Sequence, residues 1–210
     1  MKKKLISVLV ILISYAALAQ STPEKKESKF ELTVNTKLGF AKLKQTGNVA
    51  LNGNINGGDI LFSLPLGKTW KIASGIGYFE YNANPTIAGN TASLKNTYLH
   101  IPLQFNSDLA IFNNENTQNQ KIFFNLGLGL YTNTLLKQEL ETITDNTSTK
   151  NMGWNFGFSS QIGLKFLLTD ALNLGMGLES QSDFTKMKKD GAEQRIEQIN
   201  ALYFKMGFTF

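Results

Sequence analysis

From Phe30 onward the chain alternates apolar with polar or small residues at a period of two, and its last nine residues, Leu202 to Phe210, do so without a break. Successive side chains of a strand point to opposite faces. Leu202, Phe204, Met206, Phe208 and Phe210 therefore make one apolar face, and Tyr203, Lys205, Gly207 and Thr209 the other. Eight such segments follow one another, each near the 9 to 11 residues that a tilted strand needs to cross a bilayer. Their apolar rows run Phe30 to Phe40, Ile60 to Leu66, Trp70 to Tyr78, Leu99 to Phe105, Ile122 to Leu130, Trp154 to Leu168, Leu172 to Leu178 and Leu202 to Phe210. Leu61 spoils the alternation of the second row and Ser74 interrupts the third.

The opposite phase provides an independent check. Gly39, Gly75, Gly77, Gly127, Gly129, Gly157, Gly163, Gly175, Gly177 and Gly207 all fall opposite the apolar set. Asn35, Lys37, Lys71, His100, Gln104, Asn125, Asn155, Gln161, Lys165, Asn173, Glu179 and Lys205 share their phase. An interior just wide enough for side chains, with lipid outside, wants small and polar residues within. The pattern predicts an all-β fold: a closed antiparallel up-and-down transmembrane β-barrel of eight strands, or ten if the connections after Asn106 and Thr132 hide another hairpin.

Tight turns at Gly67 to Thr69 and Thr169 to Ala171 alternate with long polar connections at Ala41 to Asp59, Asn82 to Asn96, Thr132 to Asn151 and Gln181 to Gln198. That is the expected contrast between periplasmic turns and outer loops. The link from Asn106 to Gln120 breaks the scheme, and either folds on its own or belongs partly to a longer strand. Pro65 and Pro102 each delete a ladder donor inside a segment, which predicts a bulge or a strand end at both.

The N-terminus adds export. Lys2, Lys3 and Lys4 precede an apolar run from Leu5 to Leu18 and then Ala17-Leu18-Ala19, the form of a signal peptide over 1–19. Residues 20–29 read as a flexible periplasmic lead-in and 30–210 as the barrel. The run is too short for a spanning helix. Losing the signal lowers the net charge from +5 to +2, because it removes three lysines and no acid. The remaining basic clusters, Lys25-Lys26 and Lys186, Lys188 and Lys189, make no case for nucleic acid. With no cysteine, disulfides, thiolate metal sites and a lipid-modified N-terminal cysteine are all excluded.

Tyr98-Leu99-His100-Ile101-Pro102-Leu103 resembles the Tyr-Leu-Glu-Ile-Pro-Leu strand of PorT-like outer-membrane β-barrel proteins of Gram-negative Bacteroidota. Gly127-Leu128-Gly129, Gly175-Met176-Gly177 and the terminal phenylalanine extend the likeness over most of the mature chain. His100 stands where that family usually carries an acid. The resemblance implies an outer-membrane barrel; it implies no shared activity, although the family's namesake serves in assembly of a secretion system.

Candidate functional residues are few. His100 is the only histidine, and no Gly-x-Ser-x-Gly or His-x-x-x-His pattern accompanies it. Its phase turns it inward, into an expected lumen polar network of Lys37, His100, Gln104, Gln161, Lys165, Glu179 and Lys205. With Glu31 and Lys71, that lumen counts two acids against four bases. Either the charges pair and plug the barrel or they form an anion site or a narrow anion-preferring path. Trp70, Tyr78, Trp154 and Phe210 fall near strand ends as interfacial girdles. Phe204, Met206, Phe208 and Phe210 form the terminal signal read by the barrel assembly machinery. Glu139, Glu141 and Asp145, and the Asn146-Thr147-Ser148 triplet, read as solvated loop surface.

The expectation is a monomer in the cell outer membrane, with a structural or interaction role and no catalysis, cofactor or metal. It would contact outer-membrane lipid and an envelope or secretion-system protein. Two alternatives stand: a soluble periplasmic lipocalin-like carrier of an apolar ligand, in which the two faces are exchanged, and a lipid-modifying enzyme working through His100.

Overall fold

The computed structural model describes residues 30–47, 50–67, 69–87, 89–111 and 121–210; the signal peptide and lead-in predicted over 1–29 lie outside them. The chain forms β1 (Glu31–Gln45), β2 (Leu51–Leu66), β3 (Trp70–Ala83), β4 (Thr86–Ile87), β5 (Asn90–Thr91), β6 (Ser93–Ala110), β7 (Ile122–Glu141), β8 (Asn146–Thr149), β9 (Trp154–Leu167), β10 (Leu172–Asp183), β11 (Met187–Lys189) and β12 (Ala192–Thr209). Eight of these close a ring in the order β1-β2-β3-β6-β7-β9-β10-β12, each antiparallel to its neighbours. The ring is sealed by β1 against β12, from Glu31 opposite Thr209 to Gln45 opposite Gln194. Closure leaves none of the eight with a free edge, which is the condition for a sheet to sit in hydrocarbon. β4 and β5 pair only with each other, while β8 and β11 extend hairpins on β7 and β12.

The apolar rows face outward. Leu38, Leu128 and Leu178 are 57 to 59% exposed, whereas their sequence neighbours Lys37, Gly127 and Glu179 are buried. The row reaches from Phe30, Trp70 and Phe210 at the end carrying the short turns to Phe40, Tyr78 and Trp154 nearer the far end. Phe210 donates its N–H to the Phe30 carbonyl and stacks on the Phe30 ring at 5.0 Å, so the last residue completes the seam. A lipocalin-like exchange of faces does not occur.

Three expectations need correction. First, most of each long connection is strand. β1 and β2 occupy all but 46–50 of the predicted loop 41–59, and β7 runs ten residues past Thr132, counting Thr132 itself, to Glu141. β3, β6, β10 and β12 likewise cover parts of 82–96 and 181–198, and β6 continues to Ala110 inside 106–120. Residues 112–120 of that last link lie outside the described ones.

Second, the interior is not polar throughout. Toward the far end it is a packed apolar core that includes Leu43, Ile55, Phe79, Tyr81, Leu94, Tyr98, Leu135 and Ile196. Both corrections share one cause. Beyond the lipid-facing rows the strands keep their period of two, but the apolar residues move to the inward phase.

Third, Pro102 sits in an unbulged stretch. Ser74 opposite Leu103 and Gly77 opposite His100 keep one register across it, pairing lapses between them, and the Ser74 hydroxyl donates to the Pro102 carbonyl at 2.8 Å. Pro65 is the penultimate residue of β2, beyond the last pair with β1, and so marks a strand end. The register shifts lie between Lys42 and Leu43 and between Thr97 and Tyr98, where the interior changes from polar to apolar.

Candidate functional site

The interior at the end carrying Phe30 and Phe210 is organised around charge. Its lowest tier is a ring of four side chains from four strands. Lys71 lies 2.8 Å from Glu31 and 3.0 Å from Asp108, and Lys165 lies 2.9 Å from Glu31 and 3.3 Å from Asp108. Each lysine thus touches both acids, and Asn125 donates to Asp108 at 2.7 Å. A cavity of about 40 Å³ adjoins this ring, large enough only for water-sized molecules.

The next tier centres on Lys37, which bridges Asp59 at 2.7 Å and Glu179 at 2.9 Å. Asn35 donates to Asp59, and Gln161 and Gln181 donate to Glu179. Lys205 donates to the side-chain oxygen Oε1 of Gln161 at 2.6 Å and lies 4.4 Å over the Tyr203 ring, so Gln161 links it to Glu179. Glycine makes this tier possible. A Cβ at Gly77 would collide with the Asp59 carboxylate, and one at Gly163 or Gly177 with the Tyr203 hydroxyl.

His100 and Gln104 are each 2% exposed and lie inside the same tier. Nδ1 of His100 is 2.6 Å from Asn133 Oδ1, and its ring packs between Phe79 and Tyr131. Its Nε2 is 3.9 Å from Asp59, beyond hydrogen-bond range. Gln104 finds no hydrogen-bond partner for either end of its amide among the described residues. Enzymatic work on membrane lipid would need His100 at the barrel's outer surface; it is enclosed. Above this level Asp183 accepts from Tyr131 at 2.8 Å and from the Ile196 N–H at 2.6 Å, and the apolar core begins.

Besides Asp183 one level higher, two acids of the lower interior were missed in the sequence: Asp59, assigned to a loop, and Asp108, assigned to the link after Asn106. With them the lower interior holds Lys37, Lys71, Lys165 and Lys205 against Glu31, Asp59, Asp108 and Glu179, a formal charge of zero. The supposed surplus of bases, which alone favoured an anion path, is absent. Phe204, Met206 and Phe208 all face outward on β12, apart from this interior, and Phe210 follows them in the same phase.

No protein-family model matches the chain, and no curated protein matches it in sequence. Solved structures do match in fold. The outer membrane protein OprG from Pseudomonas aeruginosa aligns over 88% of this chain and 97% of its own, at 11% identity and a TM-score of 0.52. A major outer membrane protein from Thermus thermophilus aligns over 88% of this chain and 100% of its own, at 12% identity and the same TM-score. At such identities the likeness concerns architecture alone: the chain has the fold of small outer-membrane β-barrels.

Proposed function

We propose that this protein is a monomeric outer-membrane barrel of structural or interaction role, with both termini toward the periplasm and its strand extensions standing outside the cell. The observation that carries this reading is the closed ring whose exterior is hydrocarbon at one level and polar above it. A pore is disfavoured, because ion pairs fill the interior below and apolar side chains fill it above. What the barrel offers is then its outer surface: the extended β6–β7 and β1–β12 walls and the β7–β8 hairpin. The partner such a surface would meet is an envelope or secretion-system protein. Outer-membrane lipid is its solvent, and the terminal face of β12 engages the assembly machinery during insertion.

Cell fractionation combined with gel mobility before and after heating tests the placement. The expected result is an outer-membrane band that migrates faster unheated. A soluble protein with heat-independent mobility refutes it. Shortening 142–150 to a two-residue turn tests the interaction role: partner capture should be lost while heat-modifiable mobility persists.

A further inference from the structure

Above Phe40 the outside of the β1–β12 seam changes from hydrocarbon to positive charge. Lys44 and Arg195 are direct cross-strand partners, an arrangement in which like charges repel. Lys42 stands on the same outward phase, one step nearer the apolar row. All three converge on a single carboxylate, with Glu197 3.5 Å from Lys42, 3.7 Å from Lys44 and 3.3 Å from Arg195. Just beyond, Lys186 and Lys188 share Glu193 at 2.6 Å each, and they hold its carboxyl down to about 2. Five cations thus face two acids. By contrast Lys95 and Lys137, on the β6–β7 wall, are matched one to one with Glu80 and Glu139.

Below these charges the same seam is hollow. A groove of about 580 Å³ lies on the outside of β9, β10, β12 and β1, lined by Leu38, Phe40, Ile162, Leu178 and Leu202. At its edge Ser180 donates to Asn200 at 3.2 Å. A second recess, about 420 Å³, shares Phe40 and Asn200 with the first and continues to Lys42 and Gln198. A third, about 340 Å³, takes in Lys44, Arg195 and Lys186. Along one line the exterior offers hydrocarbon, then amides and hydroxyls, then ammonium and guanidinium groups. An acyl chain, an ester or sugar linkage and a phosphate follow each other in the same order.

We propose that the β1–β12 seam binds a phosphorylated, acylated lipid of the outer leaflet, its chain beside Leu38 and Leu202 and its phosphate between Lys42, Lys44 and Arg195. This rests on the membrane placement argued above, with the strand extensions outside. Exposed cations hold free phosphate weakly in water. A lipid already confined to the bilayer adds the groove and the boundary position, and Arg195 adds a fork matched to phosphate oxygens.

The test uses the folded full chain in detergent micelles with dioleoyl phosphatidic acid, dioleoyl phosphatidylcholine or inorganic phosphate, counting retained molecules by native mass spectrometry. Phosphatidic acid should be retained preferentially, and the preference should weaken with salt. At about fivefold for each cation removed, Lys42→Gln with Lys44→Gln should reduce it roughly twenty-five-fold. Lys42→Arg with Lys44→Arg should keep it, as should the distant pair Lys95→Gln with Lys137→Gln. Equal retention of both lipids, an equal loss in the distant pair, or displacement of phosphatidic acid by equimolar inorganic phosphate overturns the proposal. Heat-modifiable mobility in the same samples separates the two claims. A wild-type barrel that inserts into phosphatidylcholine vesicles yet shows no lipid preference refutes the site alone; one that inserts into no vesicle refutes the membrane placement and the site with it.

Discussion

The two ends of the barrel interior are built on opposite principles, although the same eight strands run through both. At the end carrying Phe30 and Phe210 the inward side chains are mostly lysines, carboxylates and amides; toward the far end they are leucines, isoleucines and tyrosines. The exterior reverses in step, from Leu38 and Phe40 to Lys42 and Lys44 on β1, and from Leu128 and Leu130 to Thr132 and Thr134 on β7. The driving force available at each level explains the difference. Where the outside is hydrocarbon, a leucine gains little by turning inward, so the interior is held by ion pairs and by hydrogen bonds to their carboxylates, even though several amides, Gln104 among them, lack a partner among the described residues. Where the outside is water, burying the same leucine is the main source of stability. The interior of a barrel is thus set by its surroundings, level by level.

The largest effect should come from breaking the polar end. Lys37→Met leaves Asp59 and Glu179 buried without their shared cation, and removing one partner of a buried ion pair costs about 3 to 5 kcal/mol. Urea unfolding from lipid vesicles should register that loss. The double change Lys37→Met with Asp59→Asn should recover most of it, because one cation and one acid leave together and Glu179 remains to balance Lys205 through Gln161. A single variant as stable as wild type would mean that the network fills the lower interior without holding it.

At the apolar end Leu135→Ala should cost about 2 to 5 kcal/mol, as truncations in a packed core do. Its signature should be local. Amide exchange should quicken in the outer halves of β6 and β7 while the strands beside Lys37 keep their protection. Exchange quickening equally along the whole barrel would show the two ends to be one cooperative unit and would weaken the contrast between them.

This reversal also explains what could be read from the sequence. The lipid-facing rows announce themselves because most large apolar residues share one phase, Leu61 being an exception that points inward, and they suffice for the barrel, its eight strands and its closure. Following that phase alone ends β1 at Phe40 and β7 at Leu130, although Leu43 and Leu135 continue the strands in the other phase. Asp59 was lost with the false loop. Asp108 shares the parity of Gln104 and Asn106, and Leu109 and Ile111 carry the outward row past it, so its inward position was readable from those neighbours. The bulges at Glu197 and Leu136 were not, since each is one extra residue with no distinctive type. Nor was the unbulged Pro102, whose lost donor is absorbed by a gap in the ladder opposite Gly75 and Ile76. The charge surplus on β1 and β12 needs Arg195 and Lys44 side by side, a register no local pattern reveals.

The sharpest and smallest test pits two outward leucines on one strand against each other. Leu128 is 57% exposed and Leu136 40% exposed. If the whole exterior met water, arginine would be tolerated at both, and slightly better at the more exposed Leu128. If the level of Leu128 meets hydrocarbon and that of Leu136 meets water, the order reverses. Leu128→Arg should then cost about 2 to 4 kcal/mol near the bilayer midplane, and Leu136→Arg no more than about 0.5 kcal/mol at an aqueous surface. Unfolding in vesicles and in plain micelles, compared for both variants, reads the difference directly. Equal costs would move the hydrocarbon boundary past the Leu136 bulge, and with it the level at which the interior should cease to be charged.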